Sequence, residues 1–174
     1  PNLNTLKSER QNLISILNSE KYDVIEIEFP KILDKEDKKH DFIFVRDHFI
    51  SDQKNKIIIL RSGEPLRRIE NKAMKTTLEK IGYNTVEMPN ITGMRADGGE
   101  FYFCAKENIL FSGIQRNTQS GIDYVSNQLK IDELLILNGN GYHLDTFFTP
   151  VLNNESILCA VISCSEMLST KSKQ

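Results

Sequence analysis

Apolar positions along this chain change period several times, and the changes divide it into elements. Leu6, Leu13 and Leu17, with the stem of Arg10, share one face at helical spacing and predict a helix over about residues 4–19. Ile69, Ala73, Met74, Thr77, Leu78 and Ile81 repeat in the same way and predict a second helix from Pro65 to Ile81, with Gly82 placed to end it. Ile122, Val125 and Leu129 predict a third, with Thr118 or Ser120 as its N-cap. A short β-rich run follows each helix: Val24 to Phe29, Thr85 to Met88, and Leu134 to Leu137. Between these units lie paired runs joined by polar turns. Phe42 to Val45 pairs with Lys56 to Leu60, Phe101 to Cys104 with Ile109 to Phe111, and Thr146 to Leu152 with Ile157 to Ile162. The respective turns are Ser51 to Asn55, Lys106 to Asn108 and Asn153 to Glu155.

The order is helix–β, ββ–helix–β, ββ–helix–β, ββ, which is the signature of a repeat. Such units bury their apolar faces against one another, so end units need a cap or a partner. The expectation is a single α/β domain over residues 1–174, open at both ends. An open strand edge predicts self-association or a partner chain. The start at Pro1 rather than Met, and the polar stretch from Ser165 to Gln174, lead us to expect a longer native protein.

Charge and composition narrow the function. A net charge of −2 does not suit nucleic acid, and no apolar run approaches membrane-spanning length. Three cysteines without framework spacing imply free thiols in a reducing compartment, the cytoplasm. No Cys/His grouping has zinc-site spacing, and no cofactor or metal is expected. Gly98-Gly99 reads as a turn rather than a phosphate cradle, the mixed-charge run from Lys31 to Lys39 as a solvated loop, and Cys104 as a packed small hydrophobe.

Acidic motifs recur at equivalent points of the repeat: Asp41-Phe42-Ile43-Phe44-Val45-Arg46-Asp47, Asp97-Gly98-Gly99-Glu100 and Tyr142-His143-Leu144-Asp145-Thr146. Phe44-Val45-Arg46-Asp47, the arginines Arg61, Arg67 and Arg68, the Asp-Gly-Gly-Glu element, Arg116-Asn117-Thr118 and His143-Leu144-Asp145-Thr146 stand in register. Together they resemble the guanidino-group-modifying branch of the pentein fold: dimethylarginine dimethylaminohydrolase, arginine deiminase and the amidinotransferases. The match runs from about Asp41 to Pro150, with the two acids around Gly98-Gly99 exchanged relative to the family's Glu-Gly-Gly-Asp. The resemblance implies an α/β-propeller of five ββαβ units around a central site, with about three of the five present. It also implies a nucleophilic cysteine in the last unit, a position that Cys104, Cys159 and Cys164 do not match.

The chemistry follows. A guanidinium is planar and permanently charged, and carboxylates grip it with paired oxygens. Asp47 and Asp97 are the expected grips, and His143 the general acid and base. Asp145, two residues on, shares its face if the segment is extended, and orients the imidazole or holds substrate. By the resemblance, Arg67 and Arg116 take the substrate's α-carboxylate and Asp41 its amine. Arg46 agrees with the deiminases and amidinotransferases, where the dimethylarginine enzymes carry Glu. The expected activity is C–N hydrolysis at the guanidino group of arginine or a derivative. The alternatives are amidino transfer and a non-catalytic guanidino-binding or assembly module.

Overall fold

The structure is a computed structural model, and it describes residues 2–34, 41–152 and 158–162. Most of the expected charged loop to Lys39, the turn from Asn153 to Glu155, Ile157, Cys164 and the tail from Ser165 lie outside the described residues.

The architecture is mixed α/β. Helix α1 (Leu3–Ser19) is capped by the Asn2 side chain, which accepts from the Asn4 N–H at 3.0 Å, and none of its residues is buried. Two passes of identical connectivity follow. The first comprises β1 (Phe49–Ser51), β2 (Lys56–Ile59), α2 (Pro65–Lys80) and β3 (Asn84–Glu87). The second comprises β4 (Phe101–Cys104), β5 (Ile109–Gly113), α3 (Gln119–Leu129) and β6 (Glu133–Leu137). In each, an antiparallel hairpin is joined through a helix to a third strand lying parallel to the second, giving sheet orders β1-β2-β3 and β4-β5-β6. The hairpin β7 (Phe148–Leu152) and β8 (Leu158–Ile162) begins a further pass.

Local chemistry explains the boundaries. Pro65 opens α2, where its missing N–H costs nothing, and Gly82, at φ +96°, lets the chain leave after its C-terminus. Thr118 caps α3 by accepting from the Gly121 N–H at 3.3 Å. At the first hairpin's tip, the Asp52 carboxylate accepts from the N–H groups of Lys54 and Lys56.

Two expectations fail. Among the described residues, 22–30 belong to no strand, so the expected strand from Val24 to Phe29 does not form; Ile27 still packs on the core. Residues Phe42 to Val45 are not a strand either. The chain folds back through Phe44 N–H to Asp41 C=O and Asp47 N–H to Phe44 C=O, both 3.0 Å, and a 3-10 turn spans Val45–His48. Phe42 goes inward and stacks on His48 at 5.3 Å, leaving Ile43 83% exposed. The first strand therefore starts at Phe49.

The same device recurs. A 3-10 turn precedes the leading strand of each hairpin: Val45–His48 before β1, Gly98–Glu100 before β4, and Leu144–Thr146 before β7. The core is layered to match. On β2, Ile57 and Ile59 meet Ala73, Met74 and Leu78 of α2, while Ile58 faces the second pass with Phe101, Leu110, Ile122 and Val125. On β5, Leu110 meets α3, while Phe111 packs on Leu144, Phe147 and Phe148 of the third. Both faces of β2 and of β5 thus pack on apolar neighbours, as expected of strands covered on both sides. Each pass stacks on the next, which brings the three 3-10 turns side by side.

Candidate functional site

The three turns carry the site. Asp47 lies in the first, Asp97 is the residue immediately before the second, and His143 immediately before the third. Each is only 7% exposed. The imidazole lies between the two carboxylates: its Nδ1 is 3.6 Å from Asp47 Oδ1 and its Nε2 is 4.0 Å from Asp97 Oδ2. Both gaps exceed hydrogen-bond length, so the ring faces both acids without being tied to either.

Glycine makes this proximity possible. A Cβ on Gly99 would lie 2.6 Å from His143 Nδ1, 2.9 Å from Asp47 Oδ1 and 3.1 Å from Asp145 Oδ2. A Cβ on Gly98 would lie 1.9 Å from the Arg46 carbonyl. The pair does form a turn, and close approach of the neighbouring turns forces its composition.

The acids differ in environment. Burial raises the pKa of Asp97, and the charge of Asp47 adds to this; a hydrogen bond with Ser62, His143 and Arg67 oppose it. Its backbone N–H donates to Asn117 Oδ1 at 2.9 Å. Asp47 Oδ2 accepts from the Arg67 guanidinium at 3.1 Å, leaving Oδ1 toward the ring. Burial also raises Asp145, against the pull of Arg46 at 3.2 Å and of His143. Among the described residues, no three His, Cys, Asp or Glu side chains gather as metal ligands do.

No family model matches this sequence. Solved structures do match its coordinates. The N-terminal domain of ArgZ, an arginine dihydrolase from the ornithine–ammonia cycle in cyanobacteria, bound to substrate, aligns at TM-score 0.64 and 22% identity, over 76% of this chain and 48% of that one. SxtG, an amidinotransferase from Microseira wollei in the saxitoxin biosynthetic pathway, aligns at 0.63 and 16%, over 86% and 54%. A dimethylarginine dimethylaminohydrolase adduct with 4-chloro-2-hydroxymethylpyridine aligns at 0.59 and 16%, over 76% and 52%. The chain has the pentein fold. It spans about half the length of these three structures.

On this pentein scaffold the remaining candidates separate. Asp145 is not on an extended segment. His143 C=O accepts from Thr146 Oγ1 at 2.6 Å, which closes the third turn and sends the Asp145 carboxylate to Arg46. Arg67 donates to Glu70 at 2.8 Å as well as to Asp47, and to the Asp41 carbonyl at 3.4 Å. Its position at the start of α2, unfavourable to a cation, is offset by these internal acids. Asp41 is exposed and joins the network through its backbone, its N–H donating to Glu70 at 2.8 Å. The Arg116 guanidinium sits 3.9 Å over the Tyr142 ring, whose centroid is 4.6 Å from that of His143. Arg46 stacks 4.1 Å over Tyr102 beside a cleft of about 250 Å³ that Gly98 and Phe101 also line.

Glu70, Glu100, Asn117 and Tyr142 support the site without a role in the sequence expectation. Glu100, Asn117 and Tyr142 stand within the motifs, but membership of a motif does not assign a role. Cys104 is buried and apolar-packed, and burial raises its thiol pKa. Cys159 is exposed on β8.

No helix among the described residues is long and apolar enough to cross a membrane.

Proposed function

We propose that this chain is part of a pentein enzyme that hydrolyses a C–N bond in the guanidino group of arginine or a derivative. The observation that carries this reading is one buried imidazole flanked by two buried carboxylates from separate passes. Asp47 Oδ1 and Asp97 grip the cation, and their low-dielectric setting strengthens an ion pair that water would weaken. The neighbouring structures, an arginine dihydrolase and a dimethylarginine dimethylaminohydrolase among them, support the same chemistry.

The two ββαβ passes, the leading helix and the last hairpin are read as about three units of a five-unit propeller. A cysteine outside this chain supplies the nucleophile. Its thiolate attacks the guanidinium carbon, and the C–N bond breaks as His143 delivers a proton to the departing amine. Water then attacks the amidino carbon and gives its proton back to His143. The C–S bond breaks, and a ureido product leaves with the thiolate restored. Asp145 aligns the site through Arg46. Arg116 takes the α-carboxylate and Asp41 the amine. Arg67 reaches the carboxylate only by releasing Asp47, so Arg116 is better placed. The cysteine usage fits a cytoplasmic setting.

Amidino transfer is the second reading, favoured by Arg46 and by the SxtG match. Assay of the native full-length protein separates them. Citrulline from arginine or dimethylarginine, lost in His143→Ala, is the expected result. Transfer to glycine without citrulline selects the transferase. Calorimetric arginine binding without turnover selects a non-catalytic module, and no binding at all rejects the guanidino reading.

A further inference from the structure

Glu100 is fully buried, at 0% exposure, and the proposed function assigns it no contact with substrate. It closes the second 3-10 turn, three residues after Asp97. Its Oε1 accepts from the Arg116 N–H at 2.8 Å, and its Oε2 from the Leu144 N–H at 3.0 Å. Arg116 lies between β5 and α3, and Leu144 opens the third turn. One carboxylate therefore ties the second turn to a loop of its own pass and to the next pass.

The Leu144 bond falls at a decisive place. Its N–H belongs to the peptide group whose carbonyl is that of His143. Thr146 holds that carbonyl through both its hydroxyl, at 2.6 Å, and its N–H, at 3.2 Å. The peptide is fixed at both ends, and a planar peptide held at both ends sets the direction in which His143 projects its ring.

Gly113 provides independent support. A Cβ there would lie 1.7 Å from Glu100 Oε2 and 2.8 Å from its Cδ. Gly113 does not have a positive φ, so its backbone alone does not demand glycine. The carboxylate does. Burial raises the pKa of Glu100, with Asp97 and Asp145 adding to it, while the two N–H donors hold it down. These two charge-assisted bonds to backbone N–H groups are of the strong kind.

We propose that Glu100 is a positioning residue that aims the His143 imidazole between Asp47 and Asp97, and that Gly113 is kept small to admit it. The proposal deepens the reading of His143 as proton carrier. Its test reads the ring directly, so failure of the proposal and failure of that reading are told apart.

The experiment follows the His143 ring by NMR across a pH titration and measures arginine binding by calorimetry. Glu100→Gln keeps the shape but sets an amide donor against one of the two N–H groups. The expected result is a folded protein whose His143 midpoint moves by about 0.5 pH unit or more and whose arginine affinity falls about tenfold or more. Gly113→Ala reproduces both effects. Adding Glu100→Asp to Gly113→Ala restores part of the loss, because the shorter side chain vacates the space the methyl needs. The core variant Ile57→Val leaves the midpoint in place. An unmoved His143 midpoint in folded Glu100→Gln overturns the proposal and leaves Glu100 as a partner for two buried N–H groups. Should that variant not fold, the same midpoint in Glu100→Asp decides. If the parent protein binds no arginine but the midpoint moves, the guanidino reading fails and the positioning role stands.

Discussion

His48 shows how one residue beside the site sets a pH limit. It is 1% exposed, stacked on Phe42, with its Nε2 unpartnered and 3.8 Å from Glu70 Oε2. That distance is too long for a hydrogen bond, and Glu70 already serves Arg67 and the Asp41 N–H. Burial, with the charge of Arg67 second, lowers the His48 pKa from 6.5 to about 3. The unfolded chain takes up this proton near 6.5 and the folded chain only near 3. Stability is thus lost as pH falls through that interval, by on the order of 1.4 kcal/mol per pH unit. Asp97, Glu100 and Asp145 have raised values, so they act in the opposite sense just above the ordinary carboxylate range. Comparing the parent with His48→Phe separates the two. Denaturant unfolding between pH 6.5 and 4 should show this component of the slope missing in the variant, which keeps the ring stack. Equal slopes would mean that His48 is protonated in the fold.

Elements in this chain differ in how far neighbours complete them, and exchange rates should follow. Strands β2 and β5 are central in their sheets, with Ile58 and Leu110 wholly buried. Residues 22–30 belong to no strand among the described residues, and α1 before them buries nothing. Native-state hydrogen exchange should find 23–28 exchanging far faster than β2 and β5, which exchange by global opening. Slow exchange in 23–28 would show that this stretch is covered in solution. The same contrast explains what could be read from sequence. The helices were legible because Ala73, Met74 and Leu78, or Ile122 and Val125, must recur at helical spacing to reach a sheet. The second hairpin–helix–strand pass was legible, as were the helix and the last two strands of the first, but not its leading strand. Phe42 to Val45 misled because a turn that sends Phe42 in and Ile43 out looks like one strand period. Asp47, Asp97 and His143 stood out through motif spacing, and the structure places them together. Glu100 did not stand out. Its importance lies in two main-chain N–H groups and a missing Cβ at Gly113, none of which the local sequence displays.

At the scale of the molecule, a ligand bound as proposed between Asp47, Asp97 and His143 is a cross-link between three passes. It touches groups that packing and polar bonds between passes hold together, Arg46–Asp145 and Glu100–Leu144 among them, so its binding energy is added to theirs and raises the melting temperature by mass action. The pH dependence follows from Asp97. Its pKa in the free site is raised above 3.8, chiefly by burial. Only the ionised carboxylate forms an ion pair and accepts with both oxygens from a guanidinium, so binding favours the ionised form and expels a proton already there. The sign is then fixed. Arginine affinity should climb with pH up to the raised Asp97 value and level off above it. Below that value it should weaken about tenfold per pH unit where a single proton competes. Thermal shift and calorimetry between pH 4 and 7, in buffers of different ionisation heat, would show proton release at the low end and little at the high end. Asp97→Asn should bind weakly and without this slope. His143 acts in the same direction, since its protonated ring repels a cation and loses that charge as pH rises. Repeating the series in His143→Asn therefore isolates Asp97. A parent protein whose arginine affinity falls as pH rises across this range would place the cation elsewhere than between Asp47 and Asp97.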